Sequence, residues 1–129
     1  MQKNPKIPDN YQTVMVYLIV HEAEKFIRFT QNVFGASLTH KHMRDERTIM
    51  HGEIMIGECT LMFADATEVF LPRVDSMFVY VEDADISYRK AIEEGGAALT
   101  PLADQPYGRS GGISDPFGNI WWITSVNKS

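Results

Sequence analysis

Cysteine occurs once in this 129-residue chain, at Cys59, so no intrachain disulfide can form and a hydrophobic core must hold the fold. That usage suits a reducing cytoplasm. Cys59 sits in an apolar stretch beside Glu58, which opposes a thiolate, so it is expected to be inert core rather than a nucleophile. Long apolar runs are also lacking. The longest, Val14 to Val20, falls well short of the ~20 residues that span a bilayer. No Ala-x-Ala-like cleavage site follows it, so neither a membrane partner nor a signal peptide is expected. Positive charge is the scarcer sign: 12 Lys and Arg against 17 Asp and Glu leave a net charge of −5. That argues against nucleic acid as a partner, because phosphate binding wants a basic footprint.

Near the end of the chain stands Gly112–Ser125, "GISDPFGNIWWITS". Asp115 to Asn119 reads as a tight turn, with Pro116 presetting φ and Gly118 free to take φ > 0. The run from Ile120 to Ser125 reads as a strand. Neighbours on a strand point to opposite faces, so Trp121 and Trp122 cannot both serve one core.

The chain also repeats itself. Tyr17–Leu38 lies over Phe78–Leu99 without a gap, matching Val20 with Val81, Ala23 with Ala84, Arg28 with Arg89 and Gly35 with Gly96. The same shift, 61 residues, carries Gly57 onto Gly118. Each copy reads as a strand (13–20 and 76–81), an amphipathic helix (22–34 and 83–94) and three further strands. Those strands are expected at 36–43, 48–56 and 58–64, then at 97–101, 108–114 and 119–125. Residues 1–12, polar with two prolines, read as a flexible N-terminal arm, and 13–129 as one domain made of modules 13–64 and 76–125.

This pattern resembles the vicinal oxygen chelate superfamily of glyoxalases, bleomycin-resistance proteins and dioxygenases, and its PhnB-like branch in particular. The residues that carry the resemblance are "FIRFTQNVFGA", "HGEIMIGECTLMFAD", "YVEDAD" and "YGRSGGISDPFGNIWWI". It implies an α+β fold: two tandem βαβββ modules forming a curved mixed-sheet cup, with helices outside. It also implies a homodimer, and exposed apolar side chains such as Phe70 and Leu71 suit an interface. Metal-dependent members place four ligands in the cup, and the matching positions here are Met15, Leu61, Ser76 and Trp122. A thioether, an alkyl group, a hydroxyl and an indole do not make a site for a hard or borderline divalent cation. The expectation is therefore no metal and no cofactor.

Alternation assigns the faces. Val14, Val16, Leu18 and Val20 are expected to pack under the first helix, as are Met77, Val79 and Val81 under the second, leaving Met15 and Tyr17, and Ser76, Phe78 and Tyr80, on the cup side. Together with Leu61 and Trp122 these form a candidate lining for a small planar or hydrophobic ligand, or simply a second core. On the third strand Ile49, His51, Glu53 and Met55 should share the cup face. His51 and Glu53, two apart, can pair as a general base or as a structural hydrogen bond. His40 and His42 share a face, but their spacing is only a weak metal signal. Arg109 is a candidate for an anionic group at the cup mouth, Tyr107 offers another stacking face, and Gly111 and Gly112 permit close approach. The leading expectation is metal-independent binding of a small molecule. The alternatives are a lyase or isomerase using His51 and Glu53, and a structural dimer with a filled cup.

Overall fold

The computed structural model describes residues 5–126. The first module comprises β1 (Tyr17–Val20), α1 (Ala23–Phe34), β2 (Ser37–Met43), β3 (Ile49–Ile56) and β4 (Cys59–Asp65). The second comprises β5 (Ser76–Tyr80), α2 (Ala84–Glu93), β6 (Ala97–Gln105), β7 (Gly108–Ser114) and β8 (Ile120–Ser125). Each forms its own four-stranded mixed sheet, ordered β1-β4-β3-β2 and β5-β8-β7-β6. The first strand of each module runs parallel to the last, and the other pairings are antiparallel. The fold is α+β with two tandem modules, as expected.

The first strand is shorter than its apolar pattern suggested. Pairing with β4 begins at Tyr17, and Val14, assigned to the helix-facing side, is 84% exposed. The N-terminal segment is fastened at its inner end. The Gln12 amide exchanges two hydrogen bonds with the backbone of Thr60, both 3.1 Å, and the Thr60 hydroxyl donates to the Asn10 carbonyl. Of the stretch read as a loose arm, residues 1–4 lie outside the described residues, whereas Asn10 and Gln12 are tied to β4.

Both helices begin with help from the last strand of their own module. Glu22 takes left-handed φ and gives α1 no side-chain cap. Asp65, closing β4, accepts the Ala23 N–H at 2.9 Å and, through its other oxygen, the Ile49 N–H at 2.7 Å. One buried carboxylate thus satisfies an orphan helix donor and holds the start of β3. In the second module Ser125, closing β8, accepts the Ala84 N–H, and Asp83 caps Ile86. Gly35, with φ 68°, ends α1 in a left-handed C-cap.

The apolar face of α1, Ala23, Phe26, Ile27, Phe29 and Val33, packs onto its sheet, and one core continues into the second module. Phe34 lies 4.6 Å from Trp121 between ring centroids, and Phe26 and Phe29 meet Phe117 edge-on. Trp121 is 1% exposed. Its indole N–H donates to Asp115 at 2.8 Å, and the same carboxylate accepts the Phe117 and Asn119 N–H groups and the Asn119 side-chain amide. The Asp-Pro-Phe-Gly-Asn turn is therefore built around an acceptor that also orients the core tryptophan. Replacing Asp115 with Asn would put a donor among these donors and leave buried N–H groups unpaired. D115N is expected to lose about 3 kcal/mol of unfolding free energy in urea titrations at an unchanged m-value; a loss below about 0.5 kcal/mol would contradict this role.

Candidate functional site

The strand pairings set which side chains share the non-helical faces. Tyr17 pairs with Met62, and Met62 with Glu53, while Glu53 pairs with His40 and His51 with His42. In the second module Phe78 pairs with Trp122, and Trp122 with Gly112. These registers correct the gap-free repeat. Tyr17 corresponds to Phe78, 61 residues on, but Met62 corresponds to Trp122 and buried Ile54 to buried Ile113. The shift is already 59 at Ile54 and returns to 60 across the hairpins, because Ile56 faces Cys59 across a tight turn, whereas Ser114 faces Ile120 across the longer Asp115–Asn119 loop. Leu61, expected in the cup, instead shares a face with Ile54 and belongs to the core, and Met62 takes the place assigned to it.

A second correction concerns β3. Between His42 and Met43 the register with β2 shifts, so that His42 pairs with His51 but Met43 with Ile49, leaving Met50 as the extra residue of a bulge. Ile49, expected in the cup, is fully buried in the core, and Met50 turns outward. Cys59, expected in the core, is exposed at the start of β4.

On the open face of the first sheet the side chains form a continuous polar chain. The Tyr17 hydroxyl lies 2.9 Å from His51 Nδ1, and His51 Nε2 lies 2.7 Å from Glu53 Oε2. The Tyr11 hydroxyl donates to the other Glu53 oxygen at 2.5 Å. Tyr11 is a member the sequence reading missed; it lay in the segment read as a loose arm. Burial is the largest influence on the Glu53 carboxyl and raises its pKa. The hydrogen bonds from Tyr11 and His51, with the nearby charge of His51 and His40, outweigh it and hold the pKa below the usual value. Tyr17 is pushed above the ordinary phenol value, chiefly by burial and also by Glu53, against the opposing pull of Arg44. An ionised Glu53 only accepts, which assigns the His51 proton to Nε2 and leaves Nδ1 to accept from Tyr17.

Beside Tyr17 is a pocket of about 510 Å³ lined by Ile19, Met50, Ala64, Val69 and Phe70, with Arg44 at its wall. Arg44 donates to the Asp65 carbonyl at 3.2 Å and makes no ion pair among the described residues. The pocket's outer wall is the link between modules. There Thr67 accepts the Val69 and Phe70 N–H groups, and Arg73 bridges to the free edge of β1 at Ile19.

The second sheet presents an aromatic surface. Phe78 and Tyr80 contact each other at 5.2 Å, and Tyr107 joins Phe78 at 6.2 Å. Trp122 is half-buried, and its indole lies over Gly112, where an added Cβ would stand 2.6 Å from the ring. Gly111 makes room on the opposite side for Tyr88. The close approach expected at these glycines is therefore made by the protein's own rings. A groove of about 440 Å³ runs from Leu61 and Val16 to Phe78 and Tyr80. Ser76 opens β5 on the aromatic side, and Met15 precedes β1, half-buried and outside both cavities. Arg109 is not at the cup mouth. Alternation places it with Gly111 and Ile113 on the helix side, where Asp85 at 2.8 Å and Asp104 at 3.1 Å hold it and raise its pKa.

The donor chemistry does not fit the superfamily's metal. Its positions carry Met15, Met62, Ser76 and Trp122, a set that does not make a site for a hard or borderline divalent cation. Among the described residues no group of three or more His, Cys, Asp or Glu is disposed to hold one either.

Residues 12–123 match the Glyoxalase/Bleomycin resistance protein/Dioxygenase superfamily, and the chain belongs to it. An uncharacterised protein of Mycobacterium bovis is 26% identical over 117 residues, covering 81% of this chain and 77% of that one. The PhnB protein of Bacillus cereus, described as a putative 3-demethylubiquinone-9 3-methyltransferase, superposes with a TM-score of 0.73 at 22% identity, over 89% of this chain and all of that one. TnmS3, an antibiotic binding protein of a Streptomyces species, gives 0.67 at 20% identity, over 88% and 93% of the two chains.

Two outcomes follow. Because the folded Glu53 pKa lies below its unfolded value, its stabilisation is full above about pH 4.5 and is lost as pH falls through the folded value. E53Q is expected to flatten the acid limb of stability below about pH 5 in urea titrations; an unchanged limb would contradict this. G112A is expected to cost about 1–3 kcal/mol, much of it recovered in G112A/W122A, where the clashing ring is gone. Additive single effects in that double-mutant cycle would show that the ring does not lie over Gly112.

Proposed function

We propose that this protein binds a small, planar, largely apolar molecule without a metal, on the aromatic faces of its sheets, as a homodimer in the cytoplasm. The observation that carries the reading is the half-buried indole of Trp122. It stands at a superfamily metal position, over Gly112 and paired with Phe78, with Tyr80 and Tyr107 alongside. Rings already packed against protein offer a stacking surface at little cost in side-chain entropy. The antibiotic-binding activity of TnmS3, on the same fold, is in keeping with such a use. Support for a dimer comes from the apolar side chains open to solvent in the single chain, among them Val69 at 81%, Phe70 at 63% and Tyr80 at 65% exposure.

A second reading, acid–base chemistry at His51 and Glu53, draws support from the bonds that orient the imidazole at both nitrogens. The binding reading is tested with planar aromatic dyes and the quenching of tryptophan fluorescence. W122A is expected to weaken binding roughly tenfold, while a chelator or added Zn²⁺ leaves both affinity and melting temperature unchanged. Chelator-sensitive binding, or W122A binding as tightly as the parent, would overturn it.

A further inference from the structure

The pocket beside Tyr17 brings together three features. One is a cavity with mainly apolar walls, Ile19, Met50, Ala64, Val69 and Phe70. Another is a guanidinium, Arg44, that lines this cavity and lacks an ion-pair partner among the described residues. The third is a phenol hydroxyl, Tyr17, joined through both nitrogens of one imidazole to a buried carboxylate. We propose that this pocket takes a planar apolar molecule bearing an acidic hydroxyl, a phenol or an enol, and that the Tyr17–His51–Glu53 chain removes its proton while Arg44 faces the oxygen left behind. The inference rests on small-molecule binding by this protein and names the ligand class and the terminal group of the relay.

The step balances without a co-reactant. At rest Glu53 accepts from His51 Nε2–H, and Tyr17 donates to His51 Nδ1. The Tyr17 oxygen then has lone pairs free for a donor, and a ligand hydroxyl supplies one. When the ligand O–H bond breaks, its proton passes to the Tyr17 oxygen and the original Tyr17 proton passes to His51 Nδ1. The imidazolium that forms keeps its Nε2–H on Glu53, and the negative charge stays on the ligand oxygen. Glu53 is held for this role by Tyr11, whose hydroxyl occupies its second oxygen. His51 is the group that takes up the proton, while Glu53 and Tyr11 are positioning residues.

The charged and titratable groups facing the relay are few. His40 and His42 project from β2 on the same face, the His40 ring 5.7 Å from that of His51, and both oppose a second positive charge there if protonated. Arg44 favours the anion. Asp65 borders the pocket, but its two oxygens already accept from Ala23 and Ile49. The relay is therefore expected to work best where the neighbouring histidines are neutral.

The probes are 4-nitrophenol, whose ionised form is coloured, and 4-nitroanisole, which has the same ring but no proton to give. With the full chain, bound 4-nitrophenol is expected to ionise about one unit below its pKa in solution, and 4-nitroanisole to bind roughly tenfold more weakly. Y17F should still retain 4-nitrophenol in equilibrium dialysis, but with the colour titrating as it does free in solution. H51Q should do the same. R44Q, at an exposed side chain whose loss leaves the core intact, should abolish the preference for the phenol over the ether. Melting curves matching the parent establish that each variant is folded. Retention of the ether with no displaced titration of the phenol would overturn the relay and leave the binding reading standing. A displaced titration that survives in Y17F would also overturn it. Failure to retain either probe, together with failure of the planar dyes, would overturn both.

Discussion

The carboxylate of Asp65 is the contact on which the first module's chemistry depends. Buried at the end of β4, it accepts the Ala23 N–H and so starts α1, and it accepts the Ile49 N–H and so fixes where β3 begins. Seating Ile49 inward is what pushes the bulge onto Met50 and turns that side chain toward Tyr17. The Asp65 carbonyl also accepts from Arg44, which places the guanidinium at the same pocket. One acidic residue thus organises a helix start, a strand register and two walls of a cavity.

The second module meets the same requirements with different groups. Ser125 stands where Asp65 does, as an uncharged acceptor for the helix, and the acidic anchor moves to the hairpin as Asp115. Asp115 orients Trp121 in the core, which leaves Trp122 to the opposite face by alternation alone. The two modules have become chemically unlike on their open faces. The first carries hydroxyls, imidazoles and a carboxylate, and the second carries rings. The helix sides, by contrast, remain alike, with Ala23 and Ala84 in equivalent buried places.

Much of this was legible in the residues because burial and alternation are local properties. The elements, the division of labour between Trp121 and Trp122 and the shared face of His51 and Glu53 all follow from periodicity and turn chemistry. What could not be read depended on register. A single-residue bulge exchanged Ile49 and Met50, and unequal turns exchanged Leu61 and Met62. Arg109 looked available because its acidic partners lie on another helix and the adjacent strand, Asp85 on α2 and Asp104 on β6. Tyr11 and Gln12 gave no signal because they belong to no periodic element; only the folded sheet supplies Glu53 and Thr60 as partners.

The unequal hairpins of the two modules have a consequence for how such a protein changes. Lengthening a surface turn normally alters little beyond loop entropy, which grows only slowly with length. Here the β3–β4 and β7–β8 turns also set which member of each consecutive pair of residues on the final strand looks inward. An insertion or deletion of one residue at a hairpin tip therefore acts as a switch on the open face, exchanging a whole set of side chains for its neighbours with no substitution at any of them. The chemistry of the open face can be rewritten from a site remote from it, provided the exchanged residues suit both faces. Adjacent tryptophans are one such pair, since either ring can fill a core or floor a cavity.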